Sequence, residues 1–194
     1  PDEGRIKING IELNESNLQD IRQNIGYVIQ QGGLFPHLTA KQNCSLVAEH
    51  LGWSEHHIEE RLRFLTDLTK ISYEDIEKYS HEFSGGQRQR IGLIRALMLN
   101  PEILLLDEPL GSIDPLVRYE LQEDLKDIFE SLEKTVLLVT HDLGEAGFLG
   151  DEIVLMNEGE IVQRGVINEI IKEPKDEFVA RFVTAQRNHL EEMK

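Results

Sequence analysis

Apolar and polar positions alternate with a period of two at the start of the chain. Arg5-Ile6-Lys7-Ile8 and Ile11-Glu12-Leu13 flank Asn9-Gly10, a pair suited to the positive φ angles of a tight turn, so a β-hairpin is expected. Residues 17–24 follow a helical spacing. Ile25-Gly26-Tyr27-Val28-Ile29 then predicts a strand that ends at Gln30-Gln31, and Gly32-Gly33 breaks the pattern before a loop at Leu34-Phe35-Pro36-His37. Thr39 is a suitable N-cap for a helix over 40–51, and helical spacing returns over 54–68 and 73–79. Residues 39–82 therefore predict an α-helical subdomain.

From Gly85 the pattern changes to alternating helices and strands. A helix over 85–99 is stopped by Pro101, and the apolar run Ile103-Leu104-Leu105-Leu106 leads directly into Asp107-Glu108. Pro115 opens a long helix to Leu132, and Thr135-Val136-Leu137-Leu138-Val139-Thr140 is a continuous apolar run of the kind buried on both faces of a parallel sheet. A short helix is expected after Asp142. Ile153-Val154-Leu155-Met156 and Glu160-Ile161-Val162 around Asn157-Glu158-Gly159 predict a second hairpin, followed by two helical patterns and a polar tail after Gln186. The organisation expected is a helical subdomain at 39–82, an α/β core with hairpin at 83–165, and C-terminal helices and tail at 166–194.

Composition narrows the class. The 194 residues suffice for one core, or one core with a subdomain. Twenty Lys and Arg stand against 36 Asp and Glu, a net charge of −16 that opposes broad contact with nucleic acid. The lone Cys44 cannot form an internal disulfide, which fits a reducing compartment. No apolar run approaches the roughly 18 residues of a membrane span. The chain opens at Pro1 rather than Met, and a segment of a longer protein is the expectation.

Two stretches carry chemistry. Asp107 and Glu108 stand at the carboxyl end of a buried strand, where open α/β sheets bind ligands, and suit a magnesium ion and an attacking water. Buried strands also end in acids without any such role. Ser84-Gly85-Gly86-Gln87 opens a helix with two glycines that let backbone N–H groups approach a phosphate, and Ser84 has a hydroxyl to donate. The alternative is a plain helix start after a flexible turn. Arg88, Arg90 and Arg95 on that helix are either a functional basic stretch or a solvated face, and Arg88 reads as solvated. His141 follows the second apolar strand and is positioned to bond a terminal phosphate, or to serve as a structural hydrogen-bonder. Gln30 ends another strand, where it either orders magnesium or water or is a plain surface residue, and Asp114 either contributes to a site or only N-caps its helix. His50, His56 and His57 lack the companions of a metal site. No Gly-x-x-x-x-Gly-Lys-Ser/Thr phosphate loop occurs in the sequence.

In this order the motifs resemble the ATP-binding subunit of an ABC transporter over residues 4–183. Gln30 matches the family's Q-loop, 83–87 its signature, 103–108 its Walker B strand, Gly111 to Asp114 its D-loop and His141 its switch histidine. Leu34-Phe35-Pro36-His37-Leu38-Thr39 resembles importers. Residues 25–31 (IGYVIQQ) and 169–182 (EIIKEPKDEFVARF) resemble the glycine betaine/carnitine/choline osmoprotectant branch. Phe83 replaces the family's usual Leu, and Gly-Ser-Ile-Asp replaces Ser-Ala-Leu-Asp at the D-loop. The phosphate loop and adenine-stacking aromatic that family members place before a stretch like Glu3-Gly4-Arg5-Ile6 have no counterpart here.

The resemblance implies an α/β fold with a P-loop NTPase-like (RecA-like) core, a mainly parallel sheet, an inserted α-helical subdomain and a partial antiparallel β-subdomain. It implies ATP and Mg2+ as cofactors, with Asp107 and Gln30 on the metal and Glu108 and His141 as catalytic groups. Gln30, Ser84, Gly85, Gly86, Gln87 and Asp114 would contact nucleotide. It further implies a second ATPase subunit in a head-to-tail dimer, membrane-spanning permease subunits, an indirect link to a substrate-binding protein, and a cytoplasmic place on the inner membrane face. Without its phosphate loop the chain is expected to be inactive alone. A non-catalytic truncated or split-gene interaction module is one alternative, and a soluble ABC ATPase is another.

Overall fold

The Asn9-Gly10 turn adopts positive φ at both residues, 51° and 78°, which matches the right-handed twist of the two strands it joins. These are β1 (Lys7–Ile8) and β2 (Ile11–Glu12), paired antiparallel. This computed structural model describes residues 3–30, 33–111 and 113–191. Gln31, Gly32 and Ser112, named above, lie outside them. The chain divides into two compact units, Pro1–Val139 and Thr140–Lys194.

In the first unit, α1 (Leu18–Gln23) leads into β3 (Ile25–Val28). β3 runs parallel to β4 (Ile103–Asp107), and β4 runs parallel to β5 (Thr135–Val139), in the spatial order β3-β4-β5. Leu104 and Leu106 of the central strand are sealed beneath α4 (Gly85–Leu97) and α5 (Pro115–Leu132). A small cavity of about 10 Å³, lined by Val28, Leu93, Leu106, Leu121 and Leu125 among others, lies where these elements meet. Gly26 is required for this packing, since a Cβ there would lie 2.5 Å from the carbonyl oxygen of Ala96 on α4.

Helices α2 (Ala40–His50) and α3 (Glu55–Leu68) pack on α4 from residues 39–82. Thr39 caps α2 reciprocally: its Oγ1 accepts from Gln42 N at 3.2 Å, while Gln42 Oε1 accepts from Thr39 N at 2.9 Å. Ser54 caps α3 in the ordinary one-way manner. Residues 73–79 depart from the expected helix: only a 3-10 turn forms, over Tyr73–Glu77. The cause is tertiary. The carbonyl of Lys78 accepts from Ala40 N at 2.9 Å and Tyr79 bridges to Thr39, which pulls the backbone into an extended path.

The fully buried β5 that the apolar run predicts is not found. Its residues alternate between half-buried and exposed, with Leu137 60% and Val139 54% accessible, and Tyr27 of β3 is 50% accessible as well. One face of the sheet is covered by helices and the other is open among the described residues. Helix α4 ends at Leu97, two residues earlier than expected.

The second unit holds α6 (Leu143–Leu149), the antiparallel hairpin β6 (Ile153–Asn157) and β7 (Glu160–Gly165), then α7 (Ile167–Lys172) and α8 (Glu177–Glu191). Its own core is Leu143, Ile153, Ile170, Val179 and Val183.

Candidate functional site

Parallel pairing decides where the polar strand ends go. Val28 lies opposite Leu106, so β3 and β4 leave the sheet side by side and deliver Gln30 next to Asp107 and Glu108. Glu108 then turns sharply, with φ +47°, while its N–H still donates to Val139 O at 2.9 Å. Gly111 N closes the turn on Glu108 O at 3.1 Å. A Cβ at Gly111 would lie 3.3 Å from Glu108 Oε2 and 3.5 Å from Gln30 Nε2, so both side-chain ends border the same glycine. Asp107 completes the group from the end of β4, and Tyr27 Oη donates to its Oδ2 at 3.4 Å.

Tyr27 was not singled out from the sequence. Two-residue periodicity puts it on the Leu105 and Asp107 face, but only once the β3–β4 register is known. The donors assembled here are two carboxylates and one amide, all offering hard oxygen. No cluster of three or more His, Cys, Asp or Glu suited to a metal occurs among the described residues. That count suits Mg2+, which usually takes one or two carboxylates and fills the rest of its octahedron with water and substrate phosphate.

Ser84 and Gln87 form a second element. Ser84 Oγ accepts from Gln87 N at 3.3 Å, and Gln87 Oε1 accepts from Ser84 N at 2.9 Å, a capping box at the start of α4. The cap uses one lone pair of Ser84 Oγ and leaves its hydroxyl proton to donate. Ser84 and Gly85 are exposed, so the positive end of α4 is reachable from solvent. Gly86 is buried, and a Cβ there would lie 2.9 Å from Val117 Cγ1 on α5. Through that contact the Ser84–Gln87 turn sits beside the start of α5, which Asp114 precedes. Asp114 is exposed and its carbonyl accepts from Arg118 N at 2.8 Å.

The arginines of α4 are not a solvated face. Arg88 Nη1 donates to Phe83 O at 2.6 Å, Arg95 Nη1 donates to Gly33 O at 2.9 Å, and Arg90 pairs with Asp124. Arg88 thereby braces the turn from behind, and Arg95 holds the loop beyond Gln30. His57 of the histidine trio stacks on Trp53, ring centroids 4.1 Å apart.

His141 belongs to the second unit. It is exposed, and its carbonyl accepts from Gln186 Nε2 at 3.1 Å. Its neighbours are fixed to α6: Thr140 Oγ1 donates to Glu145 Oε2 at 2.6 Å, and Asp142 Oδ1 caps Gly144 and Glu145.

The chain has clear relatives. The ABC transporter family model matches residues 1–111. The chain is 48% identical over 187 residues to the glycine betaine/carnitine/choline transport ATP-binding protein OpuCA of Bacillus subtilis (strain 168), covering 96% of this chain and 49% of that protein. It is 43% identical over 188 residues to the osmoprotectant import ATP-binding protein OsmV of Salmonella typhimurium, covering 96% and 49%. It therefore spans about half the length of these relatives. Among solved structures, cbiO1 from Clostridium perfringens, part of the ABC transporter complex cbiONQ, superposes with a TM-score of 0.80 at 26% identity, over 99% of this chain and 77% of that one. The ATP-binding cassette MJ0796, in a post-hydrolysis dimer bound to ADP and Pi, gives 0.73 at 32% identity, over 86% and 75%. The fold is accordingly the P-loop NTPase-like α/β core with a mainly parallel sheet, helical insertion and antiparallel strand pairs. The chain belongs to the ABC transporter family.

Proposed function

We propose that the chain works within an ATP-binding and ATP-hydrolysing subunit of an importer for a betaine-type osmoprotectant. The observation that carries this reading is the convergence of Gln30 and Glu108 on Gly111, beside Asp107, at the carboxyl ends of two parallel strands. Mg2+ and ATP, when bound, supply the charge neutralisation and the phosphoryl group. Asp107 and Gln30 offer the oxygen ligands for the metal, directly or through water. Glu108 orients a water and takes its proton on Oε2. The exposed Ser84 hydroxyl and the amides of Gly85 and Gly86 face a phosphate, Gln87 holds that turn closed, and His141 and Asp114 contribute from their own loops. The similarity to the dimeric cassette supports a head-to-tail pair of subunits, in which the Ser84–Gln87 turn of one copy completes the site of the other.

The importer relatives support permease subunits as partners on the inner membrane face, with a substrate-binding protein reached only through them. No helix among the described residues is long and apolar enough to cross a membrane, and the charge of −16 disfavours nucleic acid. Since the sequence carries no phosphate loop, the chain alone binds ATP weakly and hydrolyses little. Calorimetric titration with Mg-ATP and phosphate release by the purified chain test this, and robust hydrolysis would refute it. In a form that carries a phosphate-binding loop, Glu108→Gln should retain ATP and stop turnover; undiminished hydrolysis would remove Glu108 from the role of base. A second reading, a non-catalytic module that docks on a partner bringing that loop, is favoured by the open face of the sheet at Leu137 and Val139.

A further inference from the structure

Asp124 on α5 is a carboxylate with its side chain only 10% exposed, met by two cations from distant parts of the chain. Arg90 on α4, 21% exposed, donates through Nη2 to Oδ2, and Lys70, just beyond α3, donates through Nζ to Oδ1. Lys70 is well placed to report on α3. Its own backbone adopts φ +56° with N donating to Asp67 O at 3.2 Å, and the adjoining Ile71 N returns to Thr66 O at 3.0 Å. The hydrogen bond and charge of Asp124 raise the Lys70 pKa above its ordinary value.

The clasp lies on a seam that leads back to the candidate site. Gly86 and Arg90 are four residues apart on α4 and share a face, and Val117 and Asp124 are seven apart on α5 and share another. The helices therefore meet twice along one line, Gly86 on Val117 and Arg90 on Asp124. Between these points the packing is imperfect. Gln89 is 3% exposed with no partner for Nε2 among the described residues, and it borders the small cavity that Asp124 and Leu121 also line. Apolar side chains close most of this seam, and the Asp124 contacts add a directional constraint beside the small void.

We propose that Asp124 is a positioning residue: clasped by Lys70 and Arg90, it sets the register of α4 against α5, and so holds the Ser84–Gln87 turn against the start of α5 and ties both to the end of α3. Its bearing on nucleotide rests on the reading of Ser84–Gln87 and Asp114 given above. Movement of α3 would reach that turn through this joint. The Arg90 half is shielded and sets the geometry. The Lys70 half is open to solvent and supplies little global stability.

That difference makes Lys70→Met the informative variant, since it opens the clasp without stranding a buried charge. Hydrogen exchange of the full chain without nucleotide is the assay, with Lys70→Met and Asp124→Asn compared to the parent. Exchange should accelerate roughly tenfold in Asp124→Asn and about two- to fourfold in Lys70→Met at the amides of Gln87, Arg88 and Arg118, while the amides of Leu104 to Leu106 keep their rates. Asp124→Glu should restore the protection that Asp124→Asn loses. Unchanged exchange at 87, 88 and 118 in Lys70→Met overturns the proposal, as does a uniform rise across the unit in both variants. Because no nucleotide is present, these rates bear on the joint alone, whereas robust ATP hydrolysis by the chain alone would count against the proposed function alone.

Discussion

Glu108 occupies a backbone conformation that an L-residue other than Asn or Asp rarely accepts, with φ +47° at the point where β4 leaves the sheet. Its N–H is committed to Val139 O and its carbonyl to Gly111 N, so the turn cannot relax without losing both bonds. Replacing Glu108 first by Ala and then by Gly separates backbone from side chain, since neither replacement carries a carboxylate. A left-handed residue with a Cβ costs roughly 1–2 kcal/mol. Glycine removes that cost but gives the unfolded chain more freedom, worth about 0.4–1 kcal/mol in the opposite direction. The net expectation is that Glu108→Gly is more stable than Glu108→Ala by about 1 kcal/mol, whereas Ala exceeds Gly at most positions. Glu108→Gln keeps both the Cβ and the shape, and serves as the parent-like control. Urea unfolding followed by far-ultraviolet circular dichroism measures the difference, and a melting shift of about 2–4 °C should accompany it in a chain of this length. If Ala is as stable as Gly or more so, the strain at Glu108 is not real.

Burial pushes the Cys44 thiol up from its ordinary value of 9.0 to about 12, more than nearby Arg95 pulls it back. The folded chain should therefore resist a thiol-reactive dye at pH 8 and the urea-unfolded chain should react; labelling of the folded form within seconds would contradict this. The same shift makes stability fully present below pH 9 and lost as pH rises toward 12, because only the unfolded thiol ionises across that window. Gly86→Ala should cost about 1–3 kcal/mol by crowding Val117, and Val117→Ala should return most of it in a double-mutant cycle. Additive losses would mean that the two residues do not touch.

Local chemistry was readable from the chain where it acts over a few residues. The cap at Thr39, the Asn9-Gly10 turn and the strands before Gln30 and Asp107 all follow from neighbours in sequence. What escaped depends on partners far along the chain. The apolar run of β5 reads the same whether one or both faces are covered. The bridge between Thr39 and Tyr79 overrides the helical spacing of 73–79, across forty residues. Arg90 looks like a surface residue until Asp124, 34 positions away, is placed against it. At the site, the residue types were legible but their meeting was not. Register pairs Tyr27 with Leu105 and so lets its hydroxyl reach Asp107 along the same face, and only the turn after Glu108 brings Gln30 and Glu108 to one glycine.

The open face of the β3-β4-β5 sheet has a colloidal consequence. Leu137, Val139 and Tyr27 give two chains a sticky surface for one another, and among the described residues β5 offers an unpaired edge beside it. Set against this attraction is the net charge of −16, which repels at long range in dilute buffer. The reach of that repulsion shrinks to about 10 Å at 0.1 M salt, whereas the apolar attraction is not screened at all. The ionic medium, more than the fold, therefore sets how concentrated the chain becomes before it meets itself.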